Sequence, residues 1–360
     1  MSETTTHDRV SIRVARALQK FVSTSIFWPL MILLAIILFN VAFTEGFLNI
    51  QIKDGHLAGY LVDIVNHSTY IMIIAIGLTL VIATKGIDVS VGSVVAISAA
   101  MVAFLIGGQL EMHEGVEEFV SNTPMWVAII LALATGVLAG LWNGSLVTRL
   151  KMQPIIATLI LFVAGRGIAQ LITGGQIVTV YYKPFFFIGN GFIFGLPFSL
   201  YVAMGILLLA LLLTRRTALG LFIESIGVNP VASRYSGIKA STIIMVAYAF
   251  TGFCAAISGL LVSSNVKSAD GNNAGLEFEL DAILAVVIGG TSLNGGRFYL
   301  VGSVIGALVI QSLTTTIYAR GVPPEITKVV KAIVIFAVCL IQSEAFRTSL
   351  RKLFPKRRDA

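Results

Sequence analysis

A single basic residue lies deep inside an apolar stretch of this sequence. Arg166 stands in the run "ATLILFVAGRGIAQLI", between Gly165 and Gly167. A charge within a membrane segment is costly and is a functional hypothesis by default. The guanidinium has donors for the hydroxyl groups of a ligand or for a buried carboxylate, and the two glycines would let another backbone approach. The alternative is structural: the long side chain reaches along its helix towards water or braces the bundle.

A second group of polar residues occurs in "TKGIDVSVGSVVAIS", residues 84–98. Asp88 and Ser90 stand at the predicted start of a helix. There, a carboxylate and a hydroxyl can accept hydrogen bonds from the first backbone N–H groups. Gly92 would allow close helix packing. The pattern is compatible with a helix cap alone, which we favour, or with direct contact to a ligand.

Residue types that commonly carry catalysis are scattered rather than clustered. The segment "EMHEGVEEF" (111–119) places His113 among four glutamates. It is interpreted as a solvated acidic loop in preference to a metal site, since no second histidine is near. Cys254 and Cys339 both lie in apolar runs, which predicts neither a disulfide framework nor a metal site. Nothing in the sequence therefore supports a membrane enzyme or a catalytic scaffold.

The glycine-rich stretch "GGTSLNGG" (289–296) invites comparison with a nucleotide-binding loop. It lacks the Gly-Lys-Ser/Thr ending of such loops and follows no soluble strand. No ATP-binding motif occurs elsewhere in the sequence. If ATP is used, we expect it to bind a separate chain, with no cofactor and no metal on this one.

The elements that must position these residues are predicted from composition. The chain has 360 residues, of which 56% are hydrophobic and 12% charged, with a mean hydropathy of +0.91. Soluble domains carry about 25% charged residues. The continuous apolar runs are typical of membrane-spanning helices and not of a barrel. We therefore predict an all-α, polytopic helical membrane protein with about ten transmembrane helices. The predicted spans are 26–44, 61–83, 90–108, 126–148, 155–172, 198–213, 241–263, 280–293, 299–315 and 326–342, and the short eighth is either broken or re-entrant.

The distribution of Lys and Arg predicts the orientation. If the N-terminus is cytoplasmic and ten spans alternate, 18 Lys and Arg lie inside, six lie outside, and Arg166 lies in a span. Such a bias is what the positive-inside rule expects, so the net charge of +7 indicates a membrane protein, not a nucleic-acid binder. Residues 1–25 and 344–360 are then cytoplasmic tails around a transmembrane domain (26–343). Asp88 faces the cytoplasm in this topology, and so does the loop 214–240.

That cytoplasmic loop contains a short capped helix. Asn229 suits the N-cap, Pro230 the first helical position, and Gly237 the position just past the end. Val231 and Tyr235 are four residues apart and share a face. So short a helix is unstable alone in water and must pack on something. Local physics leaves two options, a connector lying against the membrane or a docking site for a cytoplasmic subunit.

The stretch "ESIGVNPVASRYSGIKAS" (224–241) resembles the cytoplasmic coupling segment of sugar-importing ABC transporter permeases. This is the branch that includes importers of ribose, arabinose, xylose and galactofuranose. The family pattern is A-[IL]-G-G-N-x-x-A-A-[RK]-x-x-G-[IV]. The chain departs from it at Val228, where glycine is usual, and at Ser233, where alanine is usual. The matching residues are Gly227, Asn229, Ala232, Arg234, Gly237 and Ile238.

The same family is indicated by other stretches. Residues 84–98 are similar to its motif G-[IG]-D-L-S-V-G, with Val89 in place of leucine. Residues 141–180 and 276–311 resemble it as well. The likeness runs from about residue 54 to 343, and its details look closest to the galactofuranose-type importer.

The resemblance implies a permease subunit without enzymatic activity in the bacterial cytoplasmic (inner) membrane. It would pass a monosaccharide, with galactofuranose as the first candidate, by alternating access. The implied partners are a second permease subunit (identical or related), a cytoplasmic ABC ATPase, a periplasmic sugar-binding protein and membrane lipid. Residues expected to couple the chain to the ATPase are Glu224, Gly227, Asn229, Pro230, Ala232, Arg234, Tyr235 and Gly237.

An ion-coupled secondary transporter is the alternative. Such proteins commonly keep carboxylates near the membrane midplane, whereas the predicted spans here are almost free of acids. Coordination of sodium by backbone carbonyls stays open. For either kind of transporter, the candidate residues of the pathway are polar and lie in or at the ends of spans: Asn66, Asn143, Gln153, Arg166, Gln170 and Thr291. Bracing of neighbouring helices is the other role such residues take.

Overall fold

The computed structural model describes residues 26–53, 56–107, 109–113, 116–120 and 123–342. Its helices are α1 (Phe27–Phe43), α2 (Tyr60–Ala83), α3 (Val91–Ile106), α4 (Met125–Thr148), α5 (Pro154–Ile172), α6 (Lys183–Asn190), α7 (Phe198–Arg215), α8 (Leu219–Val228), α9 (Pro230–Tyr235), α10 (Ala240–Val266), α11 (Phe278–Ile288), α12 (Leu300–Ala319) and α13 (Pro324–Gln342). A helix lies at each of the ten predicted spans. The predicted tails, and the side chains of Cys339 and of the acidic segment 111–119, lie outside the described residues.

The apolar character of the helices supports the predicted class. Within the described ranges, six helices are long and apolar enough to cross a membrane, namely α2, α4, α5, α7, α10 and α12. Helices α1, α3 and α8 are apolar but shorter. Their continuous apolar sequences suit contact with lipid. The helical conformation suits it too, because a helix makes its backbone hydrogen bonds internally.

Helix α2 forms the centre of the bundle. Every residue from Ser68 to Ala83 is buried, and α7, α10, α11 and α12 pack around it. A helix that is apolar on all sides suits the interior of a protein or of a membrane, and α2 is enclosed by the protein itself. The neighbouring pair α4 and α10 approach closely at glycines. A Cβ on Gly252 would overlap the carbonyl of Gly136, so this contact requires the bare backbone.

The molecule has two chemically different ends. Helices α2, α4 and α7 finish at one end. The basic residues at and just after their last turns are Lys85, Arg149, Lys151, Arg215 and Arg216. Helices α8 and α9 lie there too, and we refer to this as the basic end. At the other end the last residues of α1 and α12 meet, because Arg320 Nη1 donates to the carbonyl of Phe43 over 2.7 Å.

Short strands at this opposite end are absent from the all-α prediction. Three hairpins are formed by β1 (Gln51–Lys53) with β2 (His56–Ala58), β3 (Gln109–His113) with β4 (Val116–Val120), and β6 (Phe192–Ile193) with β7 (Leu196–Pro197). A fourth pair joins β5 (Ile177–Thr179) to β8 (Ser268–Asp270), with Val178 opposite Ala269. The strands have two to five residues, too few to be seen as alternating patterns. We refer to this end as the hairpin end.

Two helices begin in the interior and not at either end. Ser93, in the first turn of α3, donates from Oγ to the carbonyl of Phe162, which is halfway along α5, over 2.5 Å. The first turn of α11 lies against the same turn of α3, since a Cβ on Gly92 would overlap the carboxylate of Glu279. Helices α3 and α11 therefore start close together, and both N-termini lie inside the bundle.

The non-helical segment that leads into α11 descends along α5. Its residues 271–277, the turn segment, follow β8 at the hairpin end. Gly271 packs on the backbone of Ala169 and Gln170, and Ala274 contacts Arg166 farther along α5. Irregular backbone at this depth is tolerated in a membrane only where protein or water covers it. The predicted span 280–293 is consequently a broken one: α11 covers 278–288, and residues 289–299 return to the basic end without helix.

The segment 214–240 is also more ordered than the sequence predicts. Local sequence signals predict one short helix within a loop, whereas α7 continues to Arg215 and two helices, α8 and α9, follow. Helix α8 was missed because its residues "LGLFIESIGV" form an apolar run that is too short to be counted as a span.

Candidate functional site

Helix α9 has the caps that the sequence predicts. Asn229 Oδ1 accepts hydrogen bonds from the backbone N–H groups of Val231 and Ala232, each over 3.0 Å. Pro230 is the first helical residue. Gly237 follows the helix with φ of +83°, a conformation that residues with a Cβ rarely adopt. The caps fix the direction of a helix that has only six residues.

The outer face of α9 projects from the protein. Tyr235 is 89% exposed and Val231 is 62% exposed, and Ala232 and Arg234 are exposed as well. Ser233 is the buried residue of this helix and donates to the carbonyl of Asn229. An aromatic ring, an aliphatic side chain and a guanidinium on one rigid turn provide the chemistry of a protein–protein contact.

Gly227 has a different place from the other predicted coupling residues. It is buried at the end of α8, and a Cβ there would overlap the carbonyl of Ala83 and the backbone of Gly296. Gly296 N–H itself donates to the carbonyl of Ala83 over 2.9 Å, and Lys85 Nζ donates to the carbonyl of Val228 over 3.2 Å. These residues form a backbone junction, the coupling joint, between α2, α8 and the segment 289–299. Glu224 is half-buried one turn earlier.

Asp88 is the centre of a buried hydrogen-bond cluster next to α3. Its Oδ1 accepts from the Ser90 N–H (2.9 Å), the Ser90 hydroxyl (2.7 Å) and the Asn143 amide (3.4 Å). The same Asn143 amide donates to Ser90 Oγ over 2.8 Å. Burial raises the pKa of Asp88, and the hydrogen bonds from Ser90 and Asn143 oppose that shift. We call this group the Asp88 cluster.

Two expectations for this motif are wrong. Asp88 does not face the cytoplasm, because its side chain is only 2% exposed and lies under α4 and α10. Ser90 occupies the N-cap position, but its hydroxyl donates to Asp88 and accepts no hydrogen bond from α3. The residues 86–90 turn inward after α2, so the motif lies within the bundle, where a span count places only a surface turn.

Arg166 and Gln170 both hold the segment that leads into α11. Arg166 Nη1 donates to the carbonyl of Ala274 over 2.5 Å, and Gln170 Nε2 donates to Asn272 Oδ1 over 2.6 Å. The two side chains are four residues apart on α5 and thus share a face. This contact fits the bracing role predicted for Arg166, and the role stays a prediction; its second terminal nitrogen, Nη2, is buried without a hydrogen-bond partner.

Glu279 is the residue of this region that sequence reasoning missed. Its side chain is 4% exposed and its Oε2 has no hydrogen-bond partner. It feels the positive charge of Arg166. The predicted span began one residue later, at 280, so Glu279 was assigned to a loop. The signal that could have found it is Arg166, since a buried guanidinium calls for a carboxylate nearby.

The remaining pathway candidates are dispersed. Asn66 accepts from the Ser199 hydroxyl over 2.5 Å and so links α2 to α7. Thr291 accepts from the backbone N–H of Tyr299 over 3.1 Å within the segment 289–299. Gln153 occupies the exposed N-cap position of α5 at the basic end. The structure therefore brings Arg166 and Gln170 together, adds Glu279, and gives the others separate contacts.

Comparison with known proteins gives one consistent result. Residues 60–339 match the family described as branched-chain amino acid transport system / permease component. The galactofuranose transporter permease protein YtfT of Escherichia coli is 47% identical over 89% of this chain and 91% of its own. The fructose import permease protein FruF of Bifidobacterium longum is 38% identical over 90% and 89%. The ribose import permease protein RbsC of Escherichia coli is 34% identical over 79% and 85%. No solved structure matches the chain.

Proposed function

Because the chain belongs to the family of branched-chain amino acid transport system permease components, we propose that it is the membrane-spanning subunit of an ATP-driven (ABC) importer. We propose further that the cargo is a monosaccharide. The observation that carries this is the 47% identity to a galactofuranose permease over nearly the whole of both chains. Relatives named for fructose and ribose support a sugar over an amino acid.

The proposed topology has ten crossings with both termini in the cytoplasm of a bacterial cell. Ten helices at the ten predicted spans support it, as does the concentration of Lys and Arg at one end. The basic end is then cytoplasmic and the hairpin end is periplasmic. The predicted domain boundaries, a transmembrane domain at 26–343 with tails at 1–25 and 344–360, belong to the same proposal.

The proposed partners meet opposite ends of the molecule. A cytoplasmic ATPase binds the exposed face of α9, through Val231, Arg234 and Tyr235. A periplasmic sugar-binding protein delivers its cargo to the hairpin end, and a second permease subunit completes the pathway. ATP is bound and hydrolysed on the partner, and this chain contributes the passage. The support for the ATPase contact is a rigidly capped helix whose three side chains are left exposed by the rest of the described chain.

A mechanical link from α9 to the interior follows from the coupling joint. Helix α8 is attached to Ala83 and Gly296 by backbone contacts that leave no room for side chains. Gly296 belongs to the segment that follows α11. A displacement of α8 and α9 by the ATPase would thus move residues 289–299 and, through them, α11 relative to α3. Tightly packed interiors respond to such displacement by switching between packings, not by gradual deformation.

Uptake into proteoliposomes tests this function. The complete importer, with its ATPase and binding protein, should accumulate at least one of labelled galactofuranose, ribose, fructose or galactose only when ATP is inside the vesicle. L-Leucine, suggested by the family description, serves as the comparison. Uptake of leucine alone would overturn the sugar assignment. Accumulation by this chain alone under a proton or sodium gradient would overturn the ATP-driven assignment.

A further inference from the structure

Two charged side chains in the middle of the molecule keep polar atoms unused. Among the described residues, Arg166 Nη2 and Glu279 Oε2 are buried and have no hydrogen-bond partner. Most buried polar atoms in proteins are paired, and an unpaired charged group within a membrane is especially costly. An unpaired charged atom calls for a binding partner, so the two atoms mark a place to look for a ligand.

The two groups do not satisfy each other. In the part of the chain that the structure describes, the ion pairs closer than 4.0 Å are Lys328–Glu277 and Lys331–Asp281, each at 2.6 Å. Arg166 and Glu279 attract one another from farther apart. Arg166 is held back by its bond to the Ala274 carbonyl, and Glu279 extends over Gly92. A donor and an acceptor thus lie in the same region without forming an ion pair within 4.0 Å.

The start of α3 adds a third partner. Gly92 is the second residue of this 16-residue helix, and Glu279 Oε2 lies where its side chain would be. The first N–H groups of a helix have no partner within it and carry a partial positive charge. The bare Gly92 leaves that backbone open to the interior. A guanidinium nitrogen, a carboxylate oxygen and a helix N-terminus therefore border the same small region, which we call the Arg166–Glu279 site.

The chemistry of these three partners fits a neutral, hydroxyl-rich ligand. A hydroxyl group both donates and accepts, so it satisfies the donor-only guanidinium and the acceptor-only carboxylate together. A cation would be repelled by Arg166 and an anion by Glu279. We propose that hydroxyl groups of the transported sugar bind at the Arg166–Glu279 site on their way through the protein, with Glu279 accepting and Arg166 donating. This inference rests on the proposed function and specifies where in the chain the sugar is bound.

The site is closed in this conformation and is connected to the coupling joint. Gly92 and Gly275 pack so tightly that a Cβ on Gly92 would contact the Gly275 carbonyl at 2.5 Å. Sugar reaches the carboxylate only after α11 separates from α3. Because α11 continues into residues 289–299, which contact α8 in the joint, movement of α9 is transmitted to the position of Glu279.

The first step of the test establishes the cargo. The complete importer is reconstituted in proteoliposomes with internal ATP, and the best of ribose, fructose and galactose is identified. Failure of all three sugars, and of galactofuranose as well, would overturn the proposed function and would say nothing about this site. The monodeoxy derivatives of the best sugar are then supplied on saturating binding protein. The wild type should take up at least one derivative about tenfold to a hundredfold more slowly, as expected for one lost hydrogen bond to a charged group.

The second step assigns that hydroxyl to Glu279. In Glu279→Ala, uptake of the parent sugar should fall to the rate of that derivative, while the derivative itself is unaffected. Glu277→Gln is the matched control, since Glu277 is exposed, two residues away, and should keep wild-type discrimination. ATPase activity stimulated by loaded binding protein reports assembly. If Glu279→Ala does not assemble, Glu279→Gln is used in its place. Its amide can place a hydrogen-bond donor where the Oε2 of Glu279 is an acceptor.

Two results would overturn the inference. One is an equal slowing of the parent sugar and all derivatives, which indicates that Glu279 holds only water or supports the fold. The other is unchanged discrimination in an assembled Glu279 variant. In both cases ATP-dependent uptake of the parent sugar by the wild type persists, so the proposed function survives the loss of this site.

Discussion

Two buried polar groups lie one helical turn apart at the start of α3, and they are built differently. In the Asp88 cluster, one carboxylate oxygen accepts three hydrogen bonds from Ser90 and Asn143, and the buried atom left without a partner, Asn143 Oδ1, is a neutral one. In the Arg166–Glu279 site, a guanidinium nitrogen and a carboxylate oxygen accept or donate none. Both groups are buried beside the start of α3, so burial alone does not separate them.

The difference indicates a division of labour. A polar group that is satisfied by its neighbours rigidifies the structure, while a partly satisfied group is energetically poised to gain a partner. The Asp88 cluster fixes the inward turn 86–90 against α4 and α10. The Arg166–Glu279 site, by contrast, keeps unpaired atoms next to the starts of α3 and α11, which separate in the proposed transport cycle. Substitutions in the Asp88 cluster should therefore lower the stability of the protein. Substitutions in the Arg166–Glu279 site should instead change transport.

The largest effect is expected from Gly92→Ala. The added methyl overlaps the Glu279 carboxylate and contacts the Gly275 carbonyl, so the carboxylate must leave its position over the start of α3. ATP-dependent sugar uptake in proteoliposomes should fall at least about tenfold. Gly167→Ala is the control, because nothing lies within 4 Å of a Cβ there, and it should transport normally. Normal uptake by Gly92→Ala would show that the Arg166–Glu279 site is not part of the sugar pathway.

The next largest effect is expected at the satisfied cluster. Asp88→Ala leaves the Ser90 N–H and the Ser90 hydroxyl without their acceptor, which costs about 2 kcal/mol of unfolding free energy. Asp88→Asn keeps an oxygen in place and should be much milder. Thermal unfolding in detergent measures both. If the two variants are equally unstable, the hydrogen bonds are not what holds this turn.

A smaller, pH-dependent effect distinguishes the charge of Asp88 from its hydrogen bonds. Its pKa is raised by burial above the ordinary 3.8. The stability contributed by the protonated form is therefore complete below pH 3.8 and is lost as pH rises through the raised pKa. Relative to Asp88→Asn, which does not titrate, the wild type should lose stability on going from acid to neutral pH. A wild type that gains stability over the same range would contradict the assignment.

The smallest effect is expected at the rim of the Arg166–Glu279 site. Gln170→Ala removes one partly exposed hydrogen bond to Asn272, worth about 0.5–1 kcal/mol. Melting temperature should drop slightly, and sugar discrimination should stay as in the wild type. A change in sugar discrimination as large as that expected for Glu279→Ala would mean that Gln170, and not the Glu279 carboxylate, distinguishes the sugars.

The sequence was sufficient for the helices and for the local geometry of α9. Continuous apolar runs predicted ten helical segments, and the Asn229, Pro230 and Gly237 signals predicted the caps that are observed. These features depend on near neighbours in the chain, and sequence patterns report near neighbours well. The family resemblance is confirmed by the match over residues 60–339.

Features that depend on distant residues were not predictable. Glu279 looks like a loop residue until the turn segment is seen to descend along α5 to Arg166, 113 positions earlier in the chain. Asp88 looks like a surface cap until Asn143 and Tyr248 are seen to cover it. Gly227 looks like part of a docking motif until Ala83 and Gly296 are seen against it. Burial of polar residues is a tertiary property, and a span count assigns them to the nearest surface.

Accessibility labelling of Tyr235→Cys is the most direct test of the central claim, that a separate motor acts on α9 from the cytoplasm. Cys254 and Cys339 are first replaced by Ala, and Phe194→Cys, 96% exposed at the hairpin end, is the matched control. A membrane-impermeant maleimide should label Tyr235→Cys in inside-out vesicles only, and bound ATPase should protect it; Phe194→Cys should be labelled only in intact cells. Labelling of Tyr235→Cys solely from the outside of intact cells would contradict the orientation and, with it, the coupling of α9 to an ATPase.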